Sequence, residues 1–298
     1  MIIDFLDDES LFYCWNPYIF KFETNSMNFR IKMELYNKSS NEFPHFGITA
    51  REGIAILFRI KGKKHWYNLD AYARKTDILI NMKPLIDNNQ KYEVLIYGPT
   101  LSYLSKFIIE IPNEYYAKKI SNKTDKSILI CGGMQSVGFG CTTLGVTFSS
   151  ILTREFESNL YKLVSTNKNY MLKLYNFILG TPLLPQSDVG ILEINFDSND
   201  EANVKYFLEI LKYLKKFCKK IICWFTIPKT KSEQRIITDL LKNDIITKKI
   251  IIKDLSFVYD KKFSDFCTLN NELINDTGNI LIYKEMKKNI MEIMKWNI

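Results

Sequence analysis

Histidine is almost missing from this chain: His45 and His65 are the only two among 298 residues, and both lie early in the sequence. Chemistry that depends on imidazole as a proton carrier has nothing to work with in the remainder. Long apolar runs are missing too, since nothing approaches the roughly 18–20 consecutive apolar residues of a membrane-spanning helix. The opening stretch MIIDFLDDES is acidic where a secretory leader is basic, so a cytoplasmic location is expected. The six cysteines (Cys14, Cys131, Cys141, Cys218, Cys223 and Cys267) form no CxxC pair and have no neighbouring histidine. Neither a zinc site nor a disulfide framework is signalled, reduced core thiols are expected, and no metal or other cofactor is implied.

What is present describes a folded chain. At 46% hydrophobic and 25% charged, the sequence is too apolar for disorder and long enough for two ordinary domains. The net charge of +8 raises nucleic acid or anionic membranes as partners. However, the lysines stand as pairs in KGKKHW, YAKKI, FCKKI and TKKII, at the ends of apolar runs where solvated lysines are ordinary. No aromatic–basic motif of a known module accompanies them, so nucleic acid is not an expected partner.

The two halves differ in period. In NFRIKMELY, Phe29, Ile31, Met33 and Leu35 fall on one face of a strand, and Arg30, Lys32 and Glu34 on the other. YIFKF, GIAILFRI, HWYNL, YEVLIY and KFIIEI are further strand candidates, separated by NKSSNEFP, IKGKK and DNNQK. Short strands without a long helix predict an antiparallel, jelly-roll-like β-sandwich over residues 1–122.

After the polar segment SNKTDK, the runs SILIC, VGILEIN, KIICWFT and KIIIK are nearly continuous and apolar, as in strands buried on both faces of a parallel sheet. Helical periods lie between them. NDEANVKYFLEILKYLKKF has acids near its start, lysines near its end, and Val204, Phe207, Leu208, Leu211 and Leu214 on one face. Thr230 and Glu233 have capping-box spacing, and ILIYKEMKKNIMEIM forms a last helix. The alternation predicts a flavodoxin-like, doubly wound α/β domain over residues 127–298. Such sheets bind ligands beyond the carboxyl ends of their strands, at the topological switch point that includes the loop after the first strand. That loop is ICGGMQSVGFGCT, residues 131–143.

On these residues the second half resembles the SGNH/GDSL hydrolase family, and the whole chain resembles its members with an N-terminal β-sandwich, such as carbohydrate acetyl esterases. The family writes G-D-S-x-T/S-x-G after its first strand; here Gly132-Gly133-Met134-Gln135-Ser136-Val137-Gly138-Phe139-Gly140 and then Thr147-Phe148-Ser149 match in spacing. Met134 stands in the place of the nucleophilic serine. The G-x-N-D block, whose Asn donates to the oxyanion, looks like Glu193-Ile194-Asn195-Phe196, with Asn195 kept. The D-x-x-H-x-N-x-x-G block looks like residues 270–278, with Asn275 and Gly278 in step, Asn270 in place of the acid and Leu273 in place of the base. The block with the oxyanion glycine falls loosely near Asn159-Leu160-Tyr161.

Acyl transfer by a hydroxyl needs the alcohol, a base and usually an acid that orients the base. A thioether has no proton to lose and leucine is no base; losing the nucleophile or base of a serine hydrolase costs on the order of 10⁶ in kcat. The resemblance therefore implies a retired active site that binds an O-acylated carbohydrate, another acyl ester or a protein partner. The expected cleft is lined by residues 133–141, Asn195 and the 270–276 loop, with Gly133, Gln135, Gly138 and Asn195 as ligand-binding candidates. The rival is an active esterase or acyltransferase with a displaced nucleophile, Ser136, aided by Asn195 and a base that only His45 or His65 supplies. Cys141 is a further thiolate candidate, although an inert loop cysteine is the preferred reading. Glu193 and Asp197 bracket Asn195 as a carboxylate pair; the preferred reading of Asp197, Asp200 and Glu201 is that they start the next helix.

Overall fold

The computed structural model describes residues 1–4, 18–37, 47–87, 89–100, 102–120, 124–165, 169–180, 184–195, 200–227, 229–247, 249–269 and 273–296. The chain forms two compact units, one of Met1–Lys123 with Thr142–Gly145, the other of Thr124–Cys141 with Val146–Ile298.

The first unit contains β1 (Ile2–Asp4), β2 (Ile19–Thr24), β3 (Asn28–Asn37), the short helix α1 (Ile48–Glu52), β4 (Gly53–Ile60), β5 (Tyr67–Ala73), β6 (Asp77–Asn81), β7 (Tyr92–Tyr97), β8 (Tyr103–Glu110) and β9 (Ala117–Lys119). All strand pairings are antiparallel, in sheets of order β1-β8-β3-β6 and β5-β4-β7-β2-β9. Apart from the added edge strand β9, this is the strand order of a jelly roll. The alternation in β3 is the reason for its orientation: Phe29, Ile31 and Met33 are buried while Arg30 and Glu34 are exposed. Phe20 of β2 stacks on Phe107 of β8 with ring centroids 4.0 Å apart, and Phe22 meets Phe29 edge-on at 5.3 Å, so aromatic pairs join the two sheets of the sandwich.

The second unit contains β10 (Ser127–Gly132), α2 (Met134–Val137), α3 (Phe148–Phe156), β11 (Asn159–Val164), α4 (Tyr170–Gly180), β12 (Ser187–Glu193), α5 (Glu201–Phe217), β13 (Cys218–Phe225), α6 (Lys231–Leu240), α7 (Lys242–Ile246), β14 (Ile250–Asp254), α8 (Ser264–Cys267), the small hairpin β15 (Thr268–Leu269) and β16 (Leu273–Ile274), and α9 (Asp276–Met294). The main sheet is entirely parallel, of order β11-β10-β12-β13-β14, which is the 2-1-3-4-5 order of flavodoxin-like folds. All seven residues of β12 are buried, as expected of a central strand covered on both faces.

Helix ends follow local chemistry. Asp200 caps α5 by accepting from the amides of Ala202 (2.9 Å) and Asn203 (3.2 Å), and Thr230 and Glu233 close a reciprocal capping box on α6. On α5 the fully packed face is Phe207, Ile210, Leu211 and Leu214; Val204 and Leu208 sit at its border. Cys131, Cys141, Cys218, Cys223 and Cys267 are free and buried. Among the described residues no helix is long and apolar enough to cross a membrane.

Candidate functional site

The order of the main sheet reverses between β10 and β12, and in open α/β sheets it is at the carboxyl ends of such strands that ligands bind. β10 ends on Gly132, where a side chain has no room: a Cβ would lie 2.2 Å from Ser136 Oγ and 2.6 Å from Glu193 Cβ. The single turn of α2 then carries Met134, Gln135 and Ser136, and stops at Gly138, whose φ of +98° is the left-handed conformation that favours glycine.

Glu193, the last residue of β12, is 2% exposed and reaches into this turn. Its Oε2 accepts from the Gly133 amide (3.0 Å), the Ser136 amide (3.0 Å) and the Ser136 hydroxyl (2.6 Å), and its Oε1 accepts from Asn195 Nδ2 (3.0 Å). Burial raises the Glu193 carboxyl above the usual carboxylate range; the bonds from Ser136, Asn195 and Gly133 pull in the other direction.

Asn195 is as fully engaged. Its second Nδ2 hydrogen goes to Thr226 Oγ1 (3.1 Å), while its Oδ1 accepts from the amides of Thr226 (2.9 Å) and Ile227 (3.3 Å). Tyr170 of α4 locks the same strand end: its hydroxyl donates to the Glu193 carbonyl (3.2 Å) and accepts from the Asn195 amide (2.9 Å). The Tyr170 phenol is pushed well up, first by burial and then by the Glu193 charge.

Gln135 ties α2 to two later segments, its Nε2 donating to Tyr259 Oη (3.1 Å) and its Oε1 accepting from the Ile274 amide of β16 (3.3 Å). The final motif organises α9: Asn275 is the N-cap, accepting from the Gly278 amide (3.1 Å). Asn279, 2% exposed, accepts from the Phe148 amide at the start of α3 (3.0 Å) and donates to the Ile274 (3.2 Å) and Asn275 (3.1 Å) carbonyls.

The sequence candidates thus separate by exposure. Gly133, Gln135, Ser136 and Gly138 are buried, whereas Met134, Asn195 and Leu273 are half-buried. Cys141 is 1% exposed and follows α2 rather than opening a helix; burial pushes its thiol up, away from a thiolate. His65 is exposed in the first unit, edge-on to Tyr67 at 4.8 Å. His45, Asp197 and Asn270 lie outside the described residues.

One assignment changes. Asn159-Leu160-Tyr161 opens β11 in register with Ser127-Ile128-Leu129, at the far end of the sheet from Gly132, so the block with the oxyanion glycine does not fall there. The end of β11 that reaches this site is Val164, beside Gly132, followed by Ser165, whose amide donates to the Gly132 carbonyl (3.0 Å). Tyr170, Thr226, Tyr259 and Asn279 carry the site without having been legible in the sequence; only Thr226, at the end of the KIICWFT run, stood at a strand terminus where such a role is expected.

Among the described residues no group of three or more His, Cys, Asp or Glu is placed to hold a metal ion. Glu193, already surrounded by N–H and O–H donors, presents those donors rather than free oxygen to its neighbours.

No known family profile matches the chain, and no curated protein matches it in sequence. Solved structures do match along nearly all of it. A GDSL-like lipase from Bacteroides ovatus is 18% identical, with 94% of this chain and 85% of that one covered and a TM-score of 0.70. The salicylyl-acyltransferase of a tetracycline biosynthetic pathway is 14% identical, covering 94% and 83%, at 0.60. A carbohydrate esterase family 2 enzyme with a carbohydrate-binding domain, from Myceliophthora fergusii, is 12% identical, covering 95% of both chains, at 0.58. At these identities the likeness establishes the fold: an N-terminal sandwich followed by an SGNH/GDSL hydrolase-like α/β domain.

Proposed function

We propose that this protein is a catalytically silent relative of the SGNH/GDSL hydrolases that binds its ligand at the carboxyl ends of β10 and β12 and does not cleave it. The observation that carries the reading is the state of Ser136. Its hydroxyl is fully buried and donates to Glu193 at 2.6 Å, as part of a network that also consumes both Nδ2 hydrogens of Asn195. Acyl transfer needs an accessible nucleophile together with free donors for the oxyanion. In the reading proposed here neither remains: Met134 stands at the nucleophile position with Ser136 buried, Leu273 stands at the base position, and Asn195 spends both Nδ2 hydrogens within the protein. The ligand class is an O-acylated carbohydrate, another acyl ester or a protein partner, which is supported by fold neighbours that are a lipase, an acyltransferase and a carbohydrate esterase. The test is isothermal titration with acetylated oligosaccharides alongside an assay for released acetate. Saturable binding without release is expected; release at an ordinary esterase rate ends the proposal.

One observation favours a second reading, an active esterase or acyltransferase with Ser136 as nucleophile. A carboxylate whose basicity is raised by burial sits 2.6 Å from the hydroxyl, the distance a general base requires. Labelling of Ser136 by a fluorophosphonate probe, mapped by peptide mass spectrometry, separates the two: an adduct supports catalysis, and none beside a labelled control esterase supports binding.

A further inference from the structure

We infer that Glu193 is a resident anion: it fills a complete four-donor cradle for a carboxylate or tetrahedral oxyanion, and by filling it excludes anionic groups from the site. The part of this inference that concerns ligand choice rests on the binding reading above.

The cradle is built from two elements. The turn after β10 supplies two amides and one hydroxyl, from Gly133 and Ser136, and the end of β12 supplies Asn195 Nδ2. All four donors lie 2.6–3.0 Å from the carboxylate oxygens, the range of charge-assisted hydrogen bonds. The Gly133 and Ser136 amides, three residues apart in one turn, both point at the same carboxylate oxygen. Ordinarily such a cradle in a crevice receives an oxygen from outside. Here the strand itself delivers the oxygen, and the fit is tight: Gly132 has to be a glycine for Ser136 and Glu193 to meet.

Among the described residues, the groups that act most strongly on Glu193 are the donors named, and its charge in turn raises the Tyr170 phenol. The four donors therefore supply the compensation that keeps this carboxylate in the interior. An external carboxylate or phosphate entering the crevice meets a negative charge where the donors would have been. The ligand that approaches Met134, Asn195 and Leu273 is accordingly uncharged or cationic at the end that it presents to them.

The experiment uses the full chain and Glu193→Ala, titrated with sodium acetate against sodium chloride at constant ionic strength. Amide resonances of Gly133 and Ser136 are followed by NMR, with folding checked by circular dichroism. In Glu193→Ala both amides move downfield and saturate, with acetate affinity at least about tenfold above that of the wild-type protein. A folded variant whose two amides ignore acetate, or a wild-type protein that responds equally, overturns the inference. Should the variant fail to fold, the Glu193 side-chain carbon is titrated in wild type and in Ser136→Ala. Loss of one donor raises the midpoint, and an unchanged midpoint overturns the inference as well. Turnover by the wild-type protein removes the binding reading but leaves the acetate result standing, because that result reports donors and not chemistry.

Discussion

Replacing Ser136 by alanine distinguishes a structural hydroxyl from a catalytic one. The hydroxyl is fully buried, and its 2.6 Å bond to Glu193 is made to a carboxyl group that is itself buried. Removing a partner from a buried polar group costs about 1–3 kcal/mol, and here it leaves the Glu193 carboxyl under-satisfied in the interior. A loss of about 2 kcal/mol is expected, which for a cooperative unit of this size lowers Tm by roughly 4–8 °C. Differential scanning calorimetry measures the shift. A double-mutant cycle with Glu193→Gln isolates the pair, with a coupling of about 1–3 kcal/mol expected for groups in direct contact. The reasoning is refuted by a Ser136→Ala protein that melts within about 1 °C of the wild type yet loses ester turnover or probe labelling. That pair of results describes a nucleophile and not a staple.

The remaining predictions concern the same unit. Because burial raises the Glu193 carboxyl in the folded state, its favourable contribution is fully present below the ordinary carboxylate pKa and is lost as pH rises through the folded value. Wild type measured against Glu193→Gln by urea denaturation should therefore lose relative stability from acid toward neutral pH; the opposite slope contradicts the assigned direction. Lys162 of β11, 6% exposed, is pushed down to about 8 by burial, so its charged form is penalised below that pH. Lys162→Met should stabilise the protein by about 3 kcal/mol at pH 7. The gain should shrink as pH rises above the folded value toward the ordinary lysine range, as denaturant titrations at several pH values will reveal. Gly138→Ala places a Cβ 2.4 Å from Thr147 Cγ2 at φ +98° and should cost at least about 1–3 kcal/mol by chemical denaturation. Thr230→Ala breaks the capping box of α6 and should cost about 1 kcal/mol, with hydrogen exchange accelerated in the first turn of that helix.

What the sequence by itself determined is what period and end chemistry encode. Alternation in NFRIKMELY names the buried face of β3, continuous runs such as VGILEIN name strands covered on both sides, and Thr230 with Glu233 names a helix start. These signals are local, because side-chain direction repeats every two residues in a strand and every 3.6 in a helix. The same locality made β11 and α4 hard to read. NLYKLV places a lysine in an apolar strand, which becomes comprehensible only when its burial is seen, and α4 has no acidic first turn or basic last turn to mark its ends.

Only the tertiary structure decided what Ser136, Glu193 and Asn195 do. In the sequence Ser136 is a displaced nucleophile or a loop serine, and Glu193 is a carboxylate near a strand end; nothing joins them across a separation of 57 positions. The parallel pairing of β10 with β12 brings their ends side by side, and the missing side chain of Gly132 lets the two meet. A hydrogen bond depends on tenths of an ångström, whereas composition and period fix position only to within a strand or a helix turn. For that reason the fold was written in the residues, while the fate of the site depended on which donors folding aimed at one carboxylate.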